Sequence, residues 1–383
     1  MEATGGCDFR HPVTYCTNIH PGETLDEVRR GLAAQATRVR AALSPEAPFP
    51  LGLRLSGRAS LELATGDAAA RFGAWLAANG FSVPTINAFP YGRFHHAPVK
   101  EAVYLPDWRD PERLAYTVRL ARVLAGWLPE GGTGSLSTVP VGFRRGFPEA
   151  DLPAALANMR LALEALRTIF RDTGRRLRLA VEPEPGCLVE TTPQFVALCD
   201  RLDPDGEYRA HLGICYDCCH QALQYEDPRR SLARLASAGL TVAHVQVSSA
   251  LHLEGGDLAR LSRFVEPVYL HQAVARLHDG RLVRFDDLQL ALSARLSDVE
   301  SWRVHFHLPV FLRELPDCGT TQPFLKAILP LFSADALLEV ETYTWSVLPD
   351  DLRTTDVADS ICREIRWVRQ ARQAGLDVAG TPY

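Results

Sequence analysis

Apolar residues alternate between two patterns along this chain. Short apolar runs occupy residues 14–18, 50–55, 83–88, 136–141, 178–181, 213–216, 243–247 and 337–340. Between the earlier runs, apolar residues recur every three or four positions, over 25–43, 61–79, 111–128, 150–171, 193–202 and 231–238. Short continuous runs predict strands covered on both faces, and the longer period predicts amphipathic helices. The first helix begins after Thr24, a good N-cap residue. Eight strands alternating with helices predict an α/β fold with a parallel sheet, closed as a (β/α)8 TIM barrel.

The stretch 248–330 breaks the alternation. It is too long for one loop and one helix, and 303–311 within it also reads as extended. We read it as an elaborated seventh β/α connection, which in barrels lies on the catalytic face. A ninth strand or a small subdomain fits the same pattern. With no internal repeat and no long Pro/Gly/Ser linker, the expectation is one TIM-barrel domain over 1–383.

Charge narrows the partner classes. The net charge of −5 offers no basic surplus for phosphate backbones, so the expected partner is a small molecule and not nucleic acid. No apolar run reaches the ~18 residues that cross a bilayer. Residues 1–9 lack the layout of a secretory signal, so the expected location is the cytoplasm. Nine cysteines are present. Cys16 and Cys215 fall in apolar runs and read as small buried hydrophobes. Cys215 and Cys218 have CxxC spacing, but no second CxxC completes a zinc ribbon, so reduced thiols are expected.

Five places set His, Asp or Glu at the end of a predicted strand. The run 178–181 leads into Glu182-Pro183-Glu184-Pro185, where a carboxylate either serves a site or simply meets water. The run 213–216 leads into Asp217-Cys218-Cys219-His220; Asp217 caps a helix, ligates, or does both. His244 and Gln246 share one strand face, Gln246 nearer the mouth and His244 deeper, where a satisfied core histidine is the simpler reading. His305 and His307, two apart in an apolar extended segment, suit Zn, Mn or Fe. Glu339 and Glu341 lie in an apolar run, where a carboxylate is costly unless paired or metal-bound. Together these predict a divalent metal centre (Mn, Zn, Co or Mg) at the barrel mouth.

Earlier strand ends add Asn18, His20, Arg54, Ser56 and Asn87. The segment 89–96 is placed to cover the mouth. Beyond it lie Lys100, Asp107, and Tyr104 and Trp108, whose rings suit stacking on a sugar-like ring or anchoring the surface. No GxGxxG follows the first strand, and no GxxxxGK[ST], GxSxG or HExxH occurs, which removes the common dinucleotide, nucleotide, hydrolase and zincin readings.

The run Gly213-Ile214-Cys215-Tyr216-Asp217-Cys218-Cys219-His220, with Glu182 before it and Glu341-Thr342 after, resembles the xylose isomerase-like TIM barrels. Those include sugar isomerases and epimerases and the endonuclease IV type of repair enzyme. The resemblance implies Glu182, Asp217, His220 and Glu341 as metal ligands. Gln246 stands where that family usually has histidine. His305 and His307 resemble the Asp-x-His pair that holds another metal in the endonuclease branch. A closer resemblance, over nearly the full length, is to the EboE family of metabolite-traffic proteins. It rests on residues 16–24, Asn87-Ala88-Phe89-Pro90-Tyr91-Gly92, Val103-Tyr104-Leu105-Pro106-Asp107-Trp108 and residues 339–345. It implies a small polyol or cyclitol-like metabolite and membrane-associated pathway partners.

The function this implies is a metal-dependent isomerase or epimerase of a sugar, sugar phosphate or cyclitol. Glu182 and Glu341 would move the proton; Asn18, His20, Asn87, Tyr104, Trp108 and Gln246 would hold the substrate. A non-catalytic metabolite carrier is the alternative, and metal-dependent phosphoester hydrolysis a third reading.

Overall fold

The computed structural model describes residues 12–353 and 355–379; residues 1–9, read above for a signal, lie outside them. Seven strands come first: β1 (Val13–Tyr15), β2 (Phe49–Arg54), β3 (Phe81–Asn87), β4 (Thr133–Thr138), β5 (Arg176–Val181), β6 (Leu212–Asp217) and β7 (Thr241–Val247). The chain then forms β8 (Ser249–Glu254), β9 (Ala273–Leu277), β10 (Leu282–Phe285), β11 (Val299–Leu308) and β12 (Gly319–Thr320), and returns as β13 (Leu338–Val340).

Strands β1–β7 and β13 make one parallel sheet in the order β1-β13-β7-β6-β5-β4-β3-β2. The β1–β2 seam is joined by a single bridge, Cys16 to Gly52, with the Thr14 hydroxyl donating to the Pro50 carbonyl at 2.5 Å. This is the expected eight-stranded TIM barrel, nearly closed. All eight expected strands are present.

The helices differ in detail. The helix after Thr24, which forms a capping box with Glu27, runs from Leu25 to Leu43 with a π turn at Leu32–Ala36. The expected helix over 61–79 is two, Gly57–Leu63 and Ala68–Ala78, because Gly66 takes φ +58° between them. A final helix, Val357–Ala379, was not foreseen. Its buried Ala358, Ile361, Ile365 and Val368 have helical spacing, diluted by Arg363, Arg366, Arg369 and Arg372. Among the described residues no helix is long and apolar enough to cross a membrane.

The long seventh connection is an antiparallel sheet of order β10-β9-β11-β8-β12. It has its own core, including Leu251, Leu253, Phe264, Trp302, Val304 and Phe306. The segment thus carries a sheet and a hydrophobic cluster of its own on the seventh connection. Its central strand β11 loses register against β8 between Val304 and Leu308, a bulge that re-aims side chains. The bulge holds His305 and His307.

Below the mouth, the barrel interior is polar. His244 meets the Ser135 hydroxyl at 3.0 Å and the Cys215 sulfur at 3.2 Å, as a satisfied core histidine does. Glu339 fills the space left by Gly52, where a Cβ would stand 1.6 Å from Glu339 Oε1. All eight described cysteines are free and buried.

Candidate metal centre at the barrel mouth

Each candidate side chain leaves the sheet where a strand ends. Glu182 and Glu184 follow β5, where Pro183 and Pro185 forbid further ladder bonds. Asp217 ends β6 and caps the helix Cys218–Leu223, its side chain accepting the His220 backbone N–H. Glu341 follows β13, Asn18 follows β1, and Asn87 ends β3. The β11 bulge brings His305 and His307 over the mouth from the inserted sheet.

The ligand atoms fall into overlapping groups, each with its atoms within 4.8 Å of one another: Glu182, Asp217 and Glu341; Asp217, His220 and His307; Glu184, His220 and His305; and Cys219, His305 and His307. Asp217 links the first group to the second, and His220 the second to the third. All these residues are buried.

The hydrogen bonds set which atoms face inward. His220 Nδ1 lies 3.0 Å from the Pro183 carbonyl, His307 Nδ1 2.8 Å from the Glu341 carbonyl, and His305 Nδ1 2.6 Å from Gln272 Oε1. A carbonyl only accepts, so each Nδ1 carries the hydrogen and each Nε2 presents a lone pair. The Gln272 amide is itself oriented, because its Nε2 donates to the Pro185 carbonyl at 3.0 Å and to the Tyr104 hydroxyl at 2.9 Å. Such outer bonds fix ligand tautomers in metal centres.

The result is a set of acceptors facing one another. His220 Nε2 and His305 Nε2 are 3.2 Å apart, and His220 Nε2 is 3.2 Å from Glu184 Oε2. Glu182 Oε2, Asp217 Oδ2, Gln246 Oε1 and His307 Nε2 are buried without any hydrogen-bond partner. A proton on Glu184 satisfies one of these contacts; a cation satisfies them together. The donor set of carboxylates and neutral imidazoles suits Mn, Zn or Co.

Electrostatics agree. Burial, then the neighbouring Asp217 and Glu184, push the Glu182 carboxyl well above its usual range. Burial, then Glu182 and Asp217, do the same to Glu341, and burial and Asp217 to Glu184. Burial lowers His220 to about 3 and His307 to about 4. Carboxyls that resist ionising together and imidazoles that stay neutral fit a site whose missing charge is positive.

Asn18, Asn87, Tyr104, Glu182, His220, His305, His307 and Glu341 line one cavity with about 520 Å³ of empty space, open solvent included. Asn18, Asn87 and Gln246 donate to the same oxygen, Glu341 Oε1, at 2.7, 3.2 and 3.4 Å. Three expected substrate contacts, Gln246, Trp108 and His20, do not line it. Trp108 is fully buried, with its indole N–H donated to the Val139 carbonyl at 3.1 Å. His20 lies beside the Tyr15 hydroxyl, 3.1 Å away, in a separate small pocket with Arg54. Arg54 instead pairs with Glu23 at 2.9 Å and holds the Gly92 carbonyl, tying down the segment after β3.

Sequence reasoning missed Glu184, Cys219, Gln272, Tyr269 and Tyr343. Glu184 carried a signal, since it stands two residues from Glu182 as His307 does from His305. Gln272 and Tyr269 come from the inserted segment and carried none.

The family model for xylose isomerase-like TIM barrels matches residues 53–283. Among solved structures, the chain is similar to an L-ribulose 3-epimerase, with TM-score 0.52, 12% identity and coverage of 97% of this chain and 98% of that one. It is also similar to a protein from Sinorhizobium meliloti 1021, with TM-score 0.50, 13% identity and coverage of 94% and 98%. At such identities the likeness is one of fold. No curated protein sequence matches the chain.

Proposed function

Because the chain belongs to the xylose isomerase-like TIM barrel family, we propose that it is a metal-dependent isomerase or epimerase of a sugar or cyclitol. We further place it with the EboE-like metabolite-traffic proteins, handling a small polyol for membrane-associated partners. The observation that carries the reading is the ring of unpartnered acceptors, Glu182 Oε2, Asp217 Oδ2 and His307 Nε2, at the mouth of the barrel.

Glu182, Asp217 and Glu341 would hold one divalent ion, and Glu184, His220 and His305 a second. Such an ion polarises a carbonyl and its neighbouring hydroxyl when bound. The chain's own groups do the rest. Glu182 and Glu341 leave the ends of different strands around the cavity, so one takes a proton from the carbon beside the carbonyl and the other returns one. Three amide donors on Glu341 Oε1 keep that carboxylate oriented. Asn18 Oδ1, buried and unpartnered, is free to accept a substrate hydroxyl.

The test is solvent deuterium exchange into a panel of ketohexoses and keto-cyclitols by metal-loaded protein. Exchange that requires metal and is lost in Glu182→Gln and Glu341→Gln supports the reading. Tight polyol binding with no exchange in the unsubstituted protein overturns it in favour of a carrier.

A further inference from the structure

We propose that the substrate is an unphosphorylated polyol bearing an apolar substituent, and that the cover of the cavity is the subsite for that substituent. The inference rests on the metal–polyol reading above and concerns the end of the substrate that points away from the metal.

The cavity has two chemically different ends. The inner end is carboxylates and imidazoles. The outer end is Phe89, Phe94, Val99, Val103, Tyr269 and Leu270. Two segments build it, the one after β3 and the one before β9, laced together where Val99 and Lys100 donate their backbone N–H groups to the Val268 carbonyl at 2.7 and 2.9 Å. Tyr343 joins the two ends. Its ring centroid is 4.6 Å from that of His307, 5.0 Å from Tyr269 and 5.3 Å from Phe94.

The polar atoms of this outer end are already used. The Tyr269 hydroxyl donates to the Phe94 carbonyl at 3.0 Å. Lys100 is the sole lysine or arginine in the described lining, and its Nζ is held by Asp287 at 2.7 Å and the Glu266 carbonyl at 3.1 Å. A phosphate there would not find the arginine fork that recognises it, and would lose its hydration against Phe, Val and Leu. An alkyl or aryl group loses nothing there and gains from leaving water.

The experiment is calorimetric titration of the Mn²⁺-loaded full chain with a ketohexose and a keto-cyclitol, each free, O-phosphorylated and O-benzylated. The benzyl form is expected to bind at least tenfold tighter than the free form, and the phosphate more weakly than either. Leu270→Ala and Val103→Ala should each cut the benzyl advantage severalfold while leaving metal content unchanged. A phosphate that binds tightest, or a benzyl form no tighter than the free one, overturns the inference and leaves the metal–polyol reading standing. Failure of every form to bind metal-loaded protein overturns both.

Discussion

Asp217 holds the first turn of the helix that carries His220. Its Oδ1 accepts the His220 backbone N–H at 3.0 Å and the Ser248 hydroxyl at 2.8 Å. The other oxygen, Oδ2, has no hydrogen-bond partner and lies 3.7 Å from His220 Nε2 and 3.9 Å from His307 Nε2. One carboxylate thus caps with one oxygen and offers the other to a cation.

The two jobs separate by substitution. Asp217→Asn keeps a capping oxygen and removes the anion. Metal content measured by mass spectrometry should fall by at least one ion per chain, with the metal-free protein as stable to urea as before. Asp217→Ala should also lose metal and in addition lose about 1 kcal/mol of stability with the cap. Full metal content in the Asn variant would remove Asp217 from the ligand set.

Gly52 on β2 and Glu339 on β13, the strands either side of β1, compete for one space. An alanine Cβ at 52 would stand 1.6 Å from Glu339 Oε1 and 2.3 Å from its carboxyl carbon. Both residues are on barrel strands, so neither backbone yields easily. Gly52→Ala should destabilise by roughly 2–3 kcal/mol, the scale of overpacking. Adding Glu339→Ala should recover part of that, a coupling of about 1 kcal/mol or more in a double-mutant cycle of urea unfolding. Additive effects would show that the floor of the barrel relaxes around the new methyl.

The barrel was legible because buried parallel strands read as continuous apolar runs, and because a carboxylate inside such a run, as at Glu341, has no cheap structural excuse. Asp217 and His220 stood out by their spacing after an apolar run, which left capping and ligation open; their role as ligands came with the family resemblance. His305 and His307 were visible as a pair, yet nothing local announced that a β11 bulge would carry them across from a second sheet. Trp108 misled for a related reason. It read as a ring for stacking on a sugar or anchoring the surface, whereas its backbone N–H bonds the Val141 carbonyl at 3.1 Å and its indole N–H the Val139 carbonyl at 3.1 Å, inside the fold. Gln272 sets a histidine tautomer from 33 residues away, a relation that exists only once the insertion has folded.

Glu364, on the final helix, gives the metal-free protein a pH dependence independent of the mouth. It is fully buried, accepts the Val310 N–H at 3.1 Å and the Thr342 hydroxyl at 2.7 Å, and burial raises its carboxyl from the ordinary value of 4.5 to about 7. Because the folded state holds this proton more tightly than the unfolded state, its contribution is full below pH ~4.5 and is lost as pH rises through about 7. The loss is on the order of 3 kcal/mol between those limits. Glu364→Gln cannot ionise and should flatten that part of the profile. Urea unfolding of both metal-free proteins at pH 4.5 and pH 8 makes the comparison; parallel losses would clear Glu364 of the effect.

Gln246 occupies the position on β7 directly across from Asp217 on β6 and from Glu339 on β13. It is fully buried, its Oε1 is unpartnered, and its Nε2 donates weakly to Glu341 at 3.4 Å. An amide oxygen is a poor ligand for zinc beside an imidazole nitrogen. Gln246→His would put a neutral nitrogen lone pair against the Glu182, Asp217 and Glu341 oxygens. Retention of Zn²⁺ against a competing chelator should then rise roughly tenfold, the lower end of what ligand-shell changes produce. Gln246→Ala should change retention little, since a weak ligand is lost. If the histidine variant holds zinc no better, the tightly bound ion lies on the His220 and His305 side of Asp217, and the carboxylate trio serves the substrate instead.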